Sequence, residues 1–342
     1  MTTMTSAKFE RINRVADKRG IIAAAAMDQR GSLKKSIAQA KGVDQNAITD
    51  AMMEEFKSAV SRVLTPHASA ILLDPQWGVP AMKARAKSAG LLVAYEESGY
   101  DVTGPGRIPF LLTDWNVAKI REIGADCIKI LMYYTPFEKA DVNRKKHDWT
   151  RMIGEECERE QMPFFLECVA YDENEQGEKS LAFAQKKPAA VEGYMREFSK
   201  PEYKVDVLKA EVPIDIAYVK GSKANKTGEV AYDREQAKDL FRNVAAVTKL
   251  PFIYLSAGVD DDVFRETLEL AGEAGVNFAG VLCGRATWKE GVPVYGKQGL
   301  KALEDWLSDR GVKNIQALNA VLDHTAKPWW NAYGGKDKIK LA

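Results

Sequence analysis

Eight short apolar runs, each followed by a stretch of helical period, constrain this chain more than any other feature. They are Ile21–Asp28, Ala70–Asp74, Leu91–Glu96, Cys127–Tyr134, Phe164–Asp172, Val207–Pro213, Phe252–Gly258 and Gly280–Arg285. Near-continuous apolarity is the mark of a parallel strand covered on both faces. Between the runs the period changes. Met52, Met53, Phe56, Val60, Val63 and Leu64 share one helix face. So do Ala237, Leu240, Phe241, Val244 and Val247, and again Val263, Phe264, Thr267, Leu268 and Ala271. Asp260–Asp262 stand where they can cap and complement the last of these helices. Eight such alternations predict an α/β fold, a single (β/α)8 TIM barrel over residues 1–342. Additional terminal helices are expected at about 6–19 and about 314–325. A doubly wound open sheet is the rival. It usually has fewer strands and a glycine-rich first turn, whereas the first turn here reads MDQRGSL, without GxGxxG.

Charge and cysteine content exclude several classes. Lys and Arg number 49 against 48 Asp and Glu, a formal net charge of +1, so no basic field invites nucleic acid. No apolar run approaches the roughly 20 residues that span a bilayer, and the first 20 residues lack the apolar core of a signal peptide. Cys127, Cys157, Cys168 and Cys283 form no CxxC pair, which predicts reduced structural thiols in a cytoplasmic protein. His67, His147 and His324 are scattered, with no HExxH or HxH, so no metal site is expected.

Charged side chains inside apolar strands are costly unless paired or used. Asp28 ends the first run, Lys129 lies between Ile128 and Ile130, and Glu167 between Leu166 and Cys168. Lys209 and Glu211 lie in the sixth run, and Arg285 ends the eighth. All sit in the middle or C-terminal part of their strands, where barrel active sites are built. A satisfied ion-pair network is the bland alternative. The chemical one is specific. A lysine desolvated beside a second ammonium has a lowered pKa, and a neutral amine attacks a ketone to form a Schiff base. A nearby carboxyl group then moves the protons. Lys209, Lys129 and Glu167 fit those roles in type, and spacing does not say which lysine is the nucleophile.

The seventh run ends LSAG and the eighth CGRATW. Small residues at those two strand ends let backbone N–H groups approach an anion at the recurrent barrel phosphate site, where Arg285 adds a forked contact. Two loops are long, Asp172–Pro188 and Pro213–Asp233. The second holds Lys220, Lys223 and Lys226, a cluster that meets either a phosphate or only solvent.

The segments AMDQRGSLKK, ILLDPQWGVPA, LLVAYEESGYD, IKILMYYTPF, PFFLECVAYD, VDVLKAEVP, YLSAGV and GVLCGRATW resemble the tagatose 1,6-bisphosphate aldolase family of class I, Schiff-base aldolases. They run from Met27 to Trp288 in the family's order. The resemblance implies the imine on Lys209, proton transfer by Glu167, and further catalytic roles for Lys129 and Asp28. It implies substrate binding by Gln29, Ser256, Ala257, Gly258 and Arg285. Arg30 is a candidate for the far end of the substrate, or a surface salt bridge. The implied reaction is reversible cleavage of D-tagatose 1,6-bisphosphate to dihydroxyacetone phosphate and glyceraldehyde 3-phosphate, without cofactor or metal. The alternatives are a sulfonated or other ketose phosphate as substrate, or a sugar-phosphate-binding regulatory barrel. The implied partner is the sugar phosphate itself, in a homodimer, with no nucleic acid and no membrane.

Overall fold

The computed structural model describes residues 2–172 and 177–342. Eight parallel strands close into a barrel: β1 (Ile22–Met27), β2 (Ala70–Leu73), β3 (Gly90–Ala94), β4 (Cys127–Tyr133), β5 (Phe164–Val169), β6 (Val207–Ala210), β7 (Phe252–Leu255) and β8 (Gly280–Cys283). Each pairs with its sequence neighbour, and β8 returns to β1 with Ile22 opposite Gly280 and Ala25 opposite Cys283. The TIM barrel expected from the eight runs is therefore the fold.

Alternation along the strands makes two cores. Ile22, Ala24, Ala26, Leu72, Leu92, Phe165, Val207, Ile253 and Leu282 point inward and form one buried cluster. Their neighbours Ala25, Met27, Ile71, Val93, Leu166 and Leu208 point outward and pack with the helices. Lys129 belongs to the inward row, two residues beyond Cys127. Glu167 and Lys209 are direct register partners on β5 and β6, so both side chains leave the same face of the sheet.

The helix of residues 50–64 starts behind Thr49, whose side chain accepts from the Met52 N–H. Asp233 and Gln236 form a capping box at the helix of residues 234–245. Asp260 departs from expectation. It occupies the N-cap of the helix Asp261–Glu273 without a side-chain bond to it, because its carboxylate is taken by Lys289.

The apolar runs overrun the strands at their C-terminal ends, where the chain leaves the ladder to build the mouth. Asp28 and Glu211 stand one residue past their strands rather than within them, and Arg285 opens a short helix, Arg285–Trp288. The expected helix at 6–19 stops at Val15. The Asp17 carboxylate accepts the N–H groups of Arg19 and Ile21 and turns the chain into β1. The C-terminal helix is Val312–Thr325, joined through a π-turn at Leu307–Gly311 to the helical segment Gly291–Trp306, which is itself broken at Gly299 (φ +81°). A parallel pair of short strands, Thr2–Met4 and Ile339–Leu341, had no signature in the apolar pattern.

The loop placed at Asp172–Pro188 is shorter than expected. Residues 173–176 lie outside the described residues, and a helix begins at Leu181, capped by Ser180 and containing Pro188. Between Pro213 and Asp233 the only regular element is one 3-10 turn, Ile216–Tyr218. All four cysteines are buried and unpaired with one another. Among the described residues no helix is long and apolar enough to cross a membrane.

Candidate active site

A cavity of about 420 Å3 opens at the C-terminal ends of the strands. Its wall includes Asp28, Gln29 and Arg30 after β1, Glu167 of β5, Lys209 of β6, Ser256, Ala257 and Gly258 after β7, and Arg285 after β8. Nine of the ten residues given a catalytic or substrate-binding role from sequence thus meet in one place. The tenth, Lys129, lies wholly buried and does not reach the cavity surface.

A chain of ion pairs crosses the floor. Lys209 Nζ lies 2.7 Å from the Glu167 carboxylate, and the same carboxylate oxygen lies 2.9 Å from Lys129 Nζ. Lys129 also donates to Asp28 at 2.9 Å and to Glu96 at 2.8 Å. A Gln29 side-chain N–H donates to the other Asp28 oxygen at 3.2 Å. Three carboxylates therefore surround one ammonium.

That surrounding reverses one expectation. A desolvated lysine near a second ammonium should have a depressed pKa. For Lys129 burial does push that way, but Asp28, Glu167 and Glu96 outweigh it and hold the ammonium well above its ordinary value. Lys129 is a fixed cation. Asp28 responds in kind: burial would raise its pKa, yet Lys129 and Lys209 keep it well below the ordinary carboxylate range. Glu96 moves the other way, raised because burial prevails over the pull of Lys129 and Arg30.

Arg30 is no surface residue. It is 5% exposed, donates from Nη2 to the Glu96 carbonyl at 2.7 Å, and lies 3.9 Å from the Glu96 carboxylate. Its Nε and Nη1 are buried with no hydrogen-bond partner among the described residues. Buried guanidinium donors left unpaired on a cavity wall are what an anion would complete.

The β7 and β8 ends meet closely. Gly258 has φ +76°, and a Cβ there would fall 2.6 Å from Arg285 Cζ, so the missing side chain lets the guanidinium lie against the backbone. Ala257 shares the left-handed conformation at φ +49°. Behind them the Cys283 thiol is pushed up to about 12, burial outweighing a hydrogen bond with Ser256, and is no nucleophile at neutral pH. Lys220, Lys223 and Lys226 are exposed and do not line the cavity.

The wall also contains Ser32, Glu96, Tyr133 and Glu211. Glu211 continues the inward row of Lys209. Its carboxylate accepts the Ala170 N–H at 2.6 Å and lies 3.6 Å from Lys187, and burial raises its pKa. Glu96 was visible in sequence as the end of the third run, two residues beyond inward Ala94. Period-2 counting of each run past its apolar part would have found it.

Comparison with known proteins gives a consistent group. Residues 22–290 match the model of the DeoC/LacD family aldolases. A tagatose 1,6-diphosphate aldolase of Listeria monocytogenes serotype 4a is 47% identical over 341 residues, spanning 100% of this chain and 99% of that protein. Tagatose 1,6-diphosphate aldolase 2 of Enterococcus faecalis is 50% identical over 329 residues, covering 96% and 97%. Among solved structures, a fructose-bisphosphate aldolase from Plasmodium falciparum superposes with a TM-score of 0.68 at 12% identity, over 95% of this chain and 98% of that one. A Schiff base-forming fructose-1,6-bisphosphate aldolase gives 0.51 at 13% identity, over 92% and 99%. At such identities the last two speak for the fold alone.

Proposed function

The chain belongs to the DeoC/LacD family of aldolases, and from that membership we propose that it cleaves D-tagatose 1,6-bisphosphate reversibly through an imine on Lys209. The observation that carries the reading is the Lys209–Glu167 pair on the cavity wall, 2.7 Å apart, backed by a second cation that does not line the cavity.

Each residue then has a task. Glu167 takes a proton from the Lys209 ammonium, and the free amine adds to the C2 carbonyl. The same carboxyl group returns a proton as the carbinolamine loses water. In the protonated imine the C3–C4 bond breaks, and its electron pair flows to the iminium nitrogen. The C4 hydroxyl proton passes to the Glu167 carboxylate on the wall, which was freed when the carbinolamine lost water. Glyceraldehyde 3-phosphate departs. The enamine is protonated at C3, and water releases dihydroxyacetone phosphate. Lys129 keeps Asp28 ionised throughout.

Arg285 with Ser256–Gly258 takes one phosphate. Arg30, whose Nε and Nη1 are buried without a hydrogen-bond partner among the described residues, takes the other beside the first turn of the helix Gly31–Lys41. No metal enters these steps, since the imine is the electron sink.

Borohydride reduction in the presence of dihydroxyacetone phosphate tests the reading. A stable adduct should map to Lys209, and cleavage of tagatose 1,6-bisphosphate should survive prolonged chelation. An adduct on Lys129, or loss of activity restored by zinc, would overturn it. Faster turnover of a sulfonated ketose phosphate would move the substrate class while leaving the chemistry in place.

A further inference from the structure

The segment after β1 is gripped from outside the barrel. The helix Asp50–Leu64 buries a stripe of Met53, Phe56, Val60 and Leu64, and within it stands Lys57, with no exposed surface. A lysine taken out of water is costly unless each ammonium proton finds an acceptor. Lys57 finds three. It donates to the Met27 carbonyl at 2.8 Å, to the Gln29 carbonyl at 2.8 Å, and to the Asp74 carboxylate just past β2. The second Asp74 oxygen accepts the Trp77 N–H at 2.9 Å.

The two carbonyls flank Asp28. A methionine at position 57 would fill the same stripe with no desolvation cost, so packing alone does not account for the lysine. What it fixes is the backbone that presents Asp28, Gln29 and Arg30 to the cavity. The Trp288 indole adds a third hydrogen bond from outside, to the Ala26 carbonyl at 2.9 Å.

We propose that Lys57, neutralised by Asp74, is a positioning residue for catalysis: it holds the peptides on either side of Asp28 so that Asp28 keeps its pair with Lys129 and faces the reacting carbons. Lys57 itself does not line the cavity. The inference rests on the imine chemistry proposed for that cavity.

Lys57→Met alone strands a buried carboxylate, so the informative protein is the double variant Lys57→Met/Asp74→Asn. It removes both charges together and leaves an amide oxygen for the Trp77 N–H. Four quantities are measured on the full chain: Tm, borohydride-trapped adduct with dihydroxyacetone phosphate, and kcat and KM for tagatose 1,6-bisphosphate. The double variant should melt within about 5 °C of wild type and still trap the adduct on Lys209, whose strand is untouched. Its kcat should fall about 100-fold, the size of effect a roughly 1 Å misplacement produces, with KM changed less than about tenfold. A folded double variant that cleaves within about threefold of wild type overturns the proposal. So does a matched loss of adduct, activity and Tm, which would make Lys57 purely structural. A wild-type chain that traps no adduct fails at the earlier step, and takes the imine assignment down with this one.

Discussion

Lys209 and Lys129 carry the same charge 2.7 and 2.9 Å from the same carboxylate oxygen, yet their settings assign them different work. Only Lys209 lines the cavity, so Lys209→Met should abolish both cleavage and adduct formation, read by turnover and intact mass. Lys129→Met should keep some adduct while losing most turnover, since Asp28, Glu96 and Glu167 then face one another without their cation. Arg285→Ala removes a charge-assisted contact worth roughly 1.5–3 kcal/mol, or about tenfold to over a hundredfold in kcat/KM. With a substrate lacking one phosphate the loss should shrink, and equal losses for both substrates would show Arg285 to be structural.

At the scale of the element, the seam between β8 and β1 depends on a glycine. Gly280 has φ +133°, and a Cβ there would lie 2.1 Å from the Ile22 carbonyl oxygen. Gly280→Ala should cost roughly 1–3 kcal/mol from backbone strain alone, seen as a lower urea midpoint, and more if the seam opens. Strands and helices were legible because each obeys a short rule. Apolar runs marked β1 to β8, and the stripe from Met52 to Leu64 marked the helix Asp50–Leu64. What the rules missed depends on partners distant in sequence. The pairing of Thr2–Met4 with Ile339–Leu341 joins the ends of the described chain, and no local pattern announces it. Lys57 was hidden inside an apolar stripe, because its reason for being there lies on residues 27, 29 and 74. Lys129 was found, but its raised pKa was not, since that required knowing that three carboxylates converge on it.

Across the whole molecule, the buried cluster around Lys129 couples stability to pH. Removing one member of a buried ion-pair network typically costs about 3–5 kcal/mol, and Lys129→Met should fall in that range near neutral pH. The sign of its pH dependence follows from the carboxylates. In wild type Lys129 holds Asp28 below its ordinary pKa. Without Lys129, the clustered carboxylates are raised above their unfolded values, so the folded variant binds more protons than the unfolded one. Its deficit should therefore grow as pH rises through those raised values and shrink on acidification. Thermal melts of wild type and variant between about pH 5 and pH 8 check this, and a deficit that widened on acidification would contradict it.

The two-sided strands also bear on how such a molecule changes over generations. Neighbouring residues of one strand answer to different masters: inward ones to the barrel centre and, near the mouth, to the cavity, outward ones to the helical coat. A lineage can thus exchange Ile71 or Val93 for another aliphatic without disturbing the chemistry, and can retune the mouth without rebuilding the coat. Selection for a new sugar acid or sulfonate would then leave its record at alternate positions, and libraries aimed at new substrates are best confined to the inward parity and the residues just past each strand.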